Sequence, residues 1–267
     1  MTTVKPLLKT PISYYGGKQM MLRHILPKIP EHHTYCEPFF GGGALFWGKA
    51  PSSFEVVNDI NNRLISFYKV LKYDIDELQR LINETFHSRQ QHRETAQEYQ
   101  SGEAEIRDAL RMAWSIWVQT NMSFSCVIDG GFGYDRKGST ALKIYNKKKM
   151  LTDAYQERLK RVTIESYDVL KVMKAYDSPE TFFYLDPPYV TSDQGAYKGY
   201  TLDDFRNLLE ACLKMQGKFL LSSYPEPILM DYRDRFGWKS EDIKKTLAVD
   251  GRRAQKKEKT ECLTWNY

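Results

Sequence analysis

Thr34-Tyr35-Cys36-Glu37-Pro38-Phe39-Phe40-Gly41-Gly42-Gly43-Ala44-Leu45-Phe46-Trp47 is the stretch whose reading decides the fold. Thr34 to Glu37 reads as a short strand, the glycines as a turn, and Ala44 to Trp47 as the opening of an apolar helix. Phe54 to Val57 reads as the next strand and ends at Asn58 and Asp59. Strand, glycine-rich turn, helix and strand in that order begin a doubly wound α/β sheet. Glycines at such a turn let the backbone approach a ligand closely, although a tight turn alone would need them too. Asp59 sharpens the reading, because an acid at the end of the following strand can bind two ribose hydroxyls. The pair points to a nucleotide-type ligand.

Outward from this stretch the pattern changes. Ile75, Leu78 and Ile82, and later Ile106, Leu110, Ala113 and Trp117, recur at helical spacing. Glycines from Gly130 to Gly138 then break any regular element. Strand character returns at Thr163 to Glu165, at Thr181 to Leu185 and at Lys218 to Ser222, and Thr201 with Asp204 spells a capping box. No repeat or low-complexity linker separates these parts. The expected organisation is therefore a catalytic α/β domain over residues 1–65 and 160–267, interrupted by a mainly helical insertion over 66–159.

Composition bounds the possibilities. With 267 residues, 42% hydrophobic and 13% aromatic, the chain can bury a sizeable core and is not of disordered or fibrous type. The excess of 39 basic over 34 acidic residues permits a polyanionic partner without demanding one, so the placement of charge matters more than its sum. Arg136 to Lys149 carries six basic residues and no acid, and a second basic cluster surrounds Arg252, Arg253, Lys256, Lys257 and Lys259, whereas Glu94 to Asp108 is acid-rich. Cys36, Cys126, Cys212 and Cys262 lie far apart, with no Cys or His pair at metal-binding spacing, so neither a metal site nor a disulfide framework is expected. No N-terminal signal stretch and no run of about 18 apolar residues is present. The expected location is the cytoplasm.

Asp186-Pro187-Pro188-Tyr189 follows the apolar strand Thr181 to Leu185, at the carboxyl end where open α/β sheets place ligands. Paired prolines also stiffen ordinary loops. The chemistry of this set is nonetheless definite. An adenine amino nitrogen is a poor nucleophile because its lone pair is delocalised into the ring. The Asp186 carboxylate and the Pro187 carbonyl can each accept one amino hydrogen, which draws the nitrogen toward tetrahedral geometry and frees that pair. The fixed φ of proline holds the carbonyl in place, and Tyr189 can stack on the base.

Tyr14-Tyr15-Gly16-Gly17-Lys18, Glu37 to Gly43, Asn58-Asp59-Ile60-Asn61 and Asp186 to Tyr189, in that order, resemble the Dam-like or D12 class of DNA adenine-N6 methyltransferases. The resemblance runs from about Pro11 to the C-terminus. It implies a Rossmann-like S-adenosyl-L-methionine-dependent fold with a helical target-recognition insertion, and direct in-line transfer of a methyl group to adenine N6 in duplex DNA. It places cofactor contacts at Tyr14, Lys18, Glu37, Phe39, Asp59 and Asp186, with Glu37 near the methionine ammonium and Asp59 on the ribose. Ser166-Tyr167-Asp168 resembles a segment flanking cofactor and base, which adds Asp168. Transfer from a sulfonium needs no protein nucleophile, and the sequence has no Pro-Cys pair of the kind used against pyrimidine rings. Double-stranded DNA is the expected partner, with a cognate restriction nuclease where the enzyme works in a restriction–modification pair; a membrane and a metal are not expected.

The insertion departs from the family pattern. Gln119 to Ser125 and Gly130 to Tyr134 stand where relatives that read GATC carry an Asn-Arg-aromatic-Gly block and a Phe-Asn-Val-Pro-like block. That specificity does not transfer. Asn121, Arg136, Lys147, Lys148 and Lys149 are the candidate DNA contacts, although Asn also caps helices and Arg more often meets phosphate. Two other readings are an amino-group methyltransferase acting on RNA or protein and a non-catalytic DNA-binding relative.

Overall fold

The computed structural model describes residues 7–102, 109–190, 199–246 and 258–267. Strands β1 (Thr34–Glu37), β2 (Phe54–Asn58), β3 (Val162–Glu165), β4 (Thr181–Leu185), β5 (Lys218–Ser223), β6 (Lys239–Thr246) and β7 (Glu258–Trp265) form one sheet in the order β3-β2-β1-β4-β5-β7-β6. Neighbours from β3 to β5 are parallel, and β7 runs antiparallel to both β5 and β6. Every residue of β4 is buried, as its unbroken apolar sequence requires of a strand covered on both faces. Alternate residues serve different cores. Tyr35, Val57, Phe182, Tyr184 and Leu220 join one apolar cluster, and Cys36, Val56, Phe183, Leu185 and Phe219 join the other.

The helices are α1 (Leu22–Ile25), α2 (Ala44–Gly48), α3 (Asn62–Tyr73), α4 (Ile75–Glu84), α5 (Arg89–Ser101), α6 (Ala109–Met122), α7 (Ser139–Lys148), α8 (Asp153–Leu159), α9 (Val169–Tyr176), α10 (Leu202–Lys214) and α11 (Pro227–Phe236). The capping box at Thr201 and Asp204 opens α10 as its sequence indicates. Chain order reverses at β1, which has β2 on one side and β4 on the other. The carboxyl ends of these central strands carry Glu37, Asp59 and Asp186, so the motifs meet at the topological switch point. There the turn is held by Phe40 N–H on the Asn58 carbonyl at 2.9 Å. Gly43 sits at φ 64°, and a Cβ there would lie 2.5 Å from the Phe40 ring, which admits only glycine.

The helical segment shares a core with the sheet. Helix α6 is buried all round from Met112 to Met122, and its Trp117 belongs to the same apolar cluster as Leu64, Phe67, Tyr35 and Phe182. Helix α8 lies within the residues expected to be insertion, yet it is bonded to the sheet half. The Arg158 guanidinium pairs with Glu55 on β2, which also holds Lys49, and donates to the Phe46 carbonyl at 3.1 Å. Truncating one member of this buried group would leave the others' charge uncompensated.

Asn121, a candidate DNA contact, points inward. It is buried on α6, where its Nδ2 donates to the Trp117 carbonyl at 2.9 Å and its Oδ1 accepts from Ser13 N–H at 3.2 Å. Its side chain ties the N-terminal segment to the helix. Lys147 and Lys148 are half-buried, and their ammonium groups donate to main-chain carbonyls, Thr10 at 3.4 Å for Lys147, and Thr85 with Asn83 for Lys148. Burial pushes the Lys147 ammonium down to about 8 and lowers Lys148 as well. Arg136, Lys137, Lys143 and Lys149 are the exposed cations of that stretch. Of the second basic cluster, Arg252, Arg253, Lys256 and Lys257 lie outside the described residues. Replacing Asn121 by Ala is expected to lower stability by about 1–3 kcal/mol, since it strands the Ser13 N–H; a denaturant titration measures this, and an unchanged midpoint with weakened DNA binding would return Asn121 to the DNA surface.

Candidate active site

A cavity of about 930 Å³ opens at the switch point, lined by the 14–18 segment, the glycine turn, Asp59, Asp168, the Asp186–Tyr189 loop and Glu261. Every sequence-derived catalytic and cofactor residue lines it: Tyr14, Lys18, Glu37, Phe39, Asp59, Asp168, Asp186, Pro187, Pro188 and Tyr189. The candidate DNA contacts Asn121, Arg136, Lys147, Lys148 and Lys149 do not.

On the β1 side, Glu37 is buried and accepts the Tyr35 hydroxyl at 2.6 Å. Burial pushes its carboxyl up to about 8, with Asp186 nearby adding to the rise and Tyr35 opposing it. On the β2 side, the Asp59 carboxylate accepts Gly41 N–H at 2.8 Å and Asn61 N–H at 2.9 Å. Burial raises Asp59, and these two bonds moderate the rise. A carboxylate has about four lone-pair sites, so acceptor capacity remains on both oxygens. Asn58, adjacent in sequence, bridges the Pro38 carbonyl and both backbone groups of Tyr167. Asp168 is exposed and caps α9 through Lys171 N–H at 3.0 Å, so its first duty is to a helix end.

On the β4 side, the buried Lys18 ammonium lies 2.8 Å from Asp186 Oδ1 and 3.4 Å from Glu261 Oε1, and donates to the Gly16 carbonyl at 3.0 Å. Burial alone would lower Lys18, but the two carboxylates outweigh it and hold it raised as an ammonium. Burial raises Asp186, and Lys18 opposes that rise. Tyr189 does more than present a ring. Its hydroxyl donates to Glu261 Oε1 at 2.8 Å and lies 3.0 Å from Ser222 Oγ and 3.4 Å from Asp186 Oδ1, while its ring meets Tyr224 edge-on at 4.5 Å. Stacking on a base would use the ring face alone, whereas this network engages the hydroxyl.

Glu261, Ser222 and Tyr35 are among the site residues that sequence reasoning missed. Tyr35 was legible in principle, two residues before Glu37 and therefore on the same face of β1. Glu261 was not, because it lies in the charged first half of β7, beside Glu258 and Lys259, and belongs to no motif. Among the described residues no group of His, Cys, Asp and Glu is arranged to hold a metal ion, and no helix is long and apolar enough to cross a membrane.

Residues 14–259 match the family of D12 class N6 adenine-specific DNA methyltransferases. The chain is 29% identical over 273 residues to the Type II methyltransferase M1.LlaDCHI of Lactococcus lactis subsp. cremoris, covering 94% of this chain and 93% of that protein. It is 27% identical over 229 residues to the Type II methyltransferase M.MjaIII of Methanocaldococcus jannaschii, with 76% of each covered. Against a DNA adenine methylase of Vibrio cholerae it is 27% identical over 233 residues, with 79% of each covered. An acid-lined cavity at the switch point, a lysine-held Asp-Pro-Pro-Tyr loop and a match over nearly the whole chain lead to one conclusion: this protein belongs to the D12 class of DNA methyltransferases, which methylate the N6 amino group of adenine.

Proposed function

We propose that S-adenosyl-L-methionine is the methyl donor, that Asp186 and the Pro187 carbonyl activate the adenine amino group, and that the helical segment 66–159 positions the duplex. The observation that carries this reading is the Lys18–Asp186 pair at 2.8 Å, which occupies Oδ1 and leaves Oδ2 as acceptor for an amino hydrogen. The cavity suits a nucleoside linked to an amino acid. Gly42 and Gly43 line it in a tight turn, where Cβ atoms would meet Tyr14 at 3.0 Å and Phe40 at 2.5 Å. Asp59 is suited to a ribose diol and Glu37 to an ammonium, while Tyr14, Lys18, Phe39 and Asp168 complete the walls. When bound, the donor supplies an electrophilic methyl group on a positively charged sulfur.

This chain's residues then hold and polarise the acceptor. Asp186 and Pro187 take the two amino hydrogens, the fixed φ of Pro187 and Pro188 keeps the loop from yielding, and Tyr189 walls the base. No protein nucleophile is needed, so positioning supplies most of the rate. A base reaches such a cavity only by leaving the stack, and the exposed Arg136, Lys137, Lys143 and Lys149 are suited to the phosphates beside it. The relatives named type II methyltransferases support a cognate restriction nuclease as partner, and a DNA substrate supports a cytoplasmic location.

Asp186→Ala is expected to abolish transfer of labelled methyl groups to DNA while the protein stays folded, and Asp186→Asn to retain little activity; near wild-type transfer by the alanine variant at saturating donor would remove Asp186 from the chemistry. Glu37, with its carboxyl near 8, is largely protonated at pH 7. An ammonium beside it favours the carboxylate, so binding of the donor is expected to expel close to one proton at that pH. Calorimetry in buffers of different ionisation enthalpy reads the number directly, and Glu37→Gln is expected to bring it to zero. Neutralising Arg136, Lys137, Lys143 and Lys149 is expected to flatten the dependence of log affinity on log salt by about 0.9 per lost phosphate contact without changing donor affinity. The same slope as wild type would assign these cations to free surface.

A further inference from the structure

We propose that Glu261 is a positioning residue for methyl transfer: it captures the Tyr189 hydroxyl and so keeps Asp186 available as an acceptor. Nothing in the catalytic motif identifies it. It reaches the site from β7, whose antiparallel register on β5 sets Cys262 opposite Ser223 and Leu263 opposite Ser222.

Several donors converge on one acceptor. A single oxygen, Glu261 Oε1, lies 2.8 Å from the Tyr189 hydroxyl, 3.0 Å from Ser222 Oγ and 3.4 Å from Lys18 Nζ. An ionised carboxylate only accepts, and a tyrosine hydroxyl has one proton to donate. That proton has two carboxylates within reach, Glu261 at 2.8 Å and Asp186 at 3.4 Å. Charge-assisted hydrogen bonds favour the shorter contact, so Glu261 takes it. Lys18 has three ammonium protons and three acceptors around it: Gly16 O, Asp186 Oδ1 and Glu261 Oε1.

Removing Glu261 changes what Asp186 must accept. The Tyr189 hydroxyl loses its nearer acceptor. The Ser222 hydroxyl loses its acceptor as well and donates to the Tyr189 oxygen at 3.0 Å, which leaves the Tyr189 proton for Asp186, and one proton of Lys18 turns there too. A carboxylate already satisfied by these donors draws less on the amino group of a base. The base still fits, and the methyl donor's contacts at Asp59 and Glu37 are untouched. Loss of Glu261 therefore weakens the chemical step and leaves binding alone. This inference rests on Asp186 acting as the amino acceptor.

The test is single-turnover methylation with saturating donor and DNA, alongside dissociation constants for both and a thermal melt for every variant. Glu261→Ala is expected to slow transfer at least about tenfold with both dissociation constants within about threefold of wild type. Glu261→Gln, which keeps an acceptor oxygen at the same reach, is expected to recover most of that rate. Tyr189→Phe is expected to slow the otherwise unaltered protein by loosening the ring. Placed on Glu261→Ala, the same change is expected to raise the rate at least about threefold, because it removes the hydroxyl that has turned onto Asp186. A Glu261→Ala variant as fast as wild type, a Gln variant as slow as Ala, or a double variant no faster than Glu261→Ala would each overturn the proposal. If Glu261→Ala melts below the assay temperature, Glu261→Leu takes its place in both comparisons, and loss of the fold in both assigns Glu261 a structural role instead. Transfer that survives Asp186→Ala would fail the underlying reading, whereas a fast Glu261→Ala beside a dead Asp186→Ala would fail this one alone.

Discussion

A buried ammonium must be paired, and the rest of the site is arranged around meeting that requirement for Lys18. The cost of an isolated buried charge is several kcal/mol, and here it is met by a main-chain carbonyl and two carboxylates. Those partners come from the same N-terminal turn, from the end of the central strand β4 and from the C-terminal strand β7. One ion therefore locks together both ends of the chain and its middle. The Asp-Pro-Pro-Tyr loop is rigid in two ways, through the ring geometry of its prolines and through this electrostatic anchor.

The inserted helices are not free to move as a separate body, because their apolar faces complete the core on one side of the sheet. Trp117 and Leu64 share a cluster with Tyr35 and Phe182. The polar connections run the same way. Asn61 caps α3, donates its backbone N–H to Asp59 and its Nδ2 to the hydroxyl of Tyr99 on α5 at 3.0 Å, and Tyr99 lines the cavity. A change in how α5 sits thus reaches the Asp59 carboxylate through a single residue. Packing and hydrogen bonding make the helical segment and the cavity parts of one body.

What the sequence made legible follows from where local and global preferences agree. The limits of β1 and β4, the glycine turn, the capping box at Thr201 and the four motifs are all written in short-range patterns, and the parallel order then brings them to one place. The β6–β7 pair escaped because Lys239 to Thr246 and the first half of Glu258 to Trp265 are of mixed charge, and the strands are formed by pairing, β7 to β5 and β6 to β7, rather than by propensity. Glu261 escaped with them. The surroundings of Asn121, Lys147 and Lys148 were hidden for a different reason: each is polar and lies among candidate contacts, yet each meets a main-chain group that no sequence pattern announces. A basic run read from sequence counts charges, whereas burial decides which of them face outward.

The charge of the cavity bears on how a duplex can use it. Glu37, Asp59, Asp186 and Glu261 line the cavity together with Lys18, so the site is acid-rich even with Glu37 holding its proton near neutrality. Such a field favours the proposed donor, whose sulfonium and ammonium are cationic, and disfavours a phosphodiester. An adenine base is neutral and pays no such penalty. In the proposed reading, the electrostatics that suit the donor also suit the base and oppose the backbone to which it is attached. Extrusion of a single nucleotide is what that asymmetry would favour: the base would enter, its flanking phosphates would stay outside, and exposed cations such as Arg136 and Lys143 are the groups proposed to hold them there.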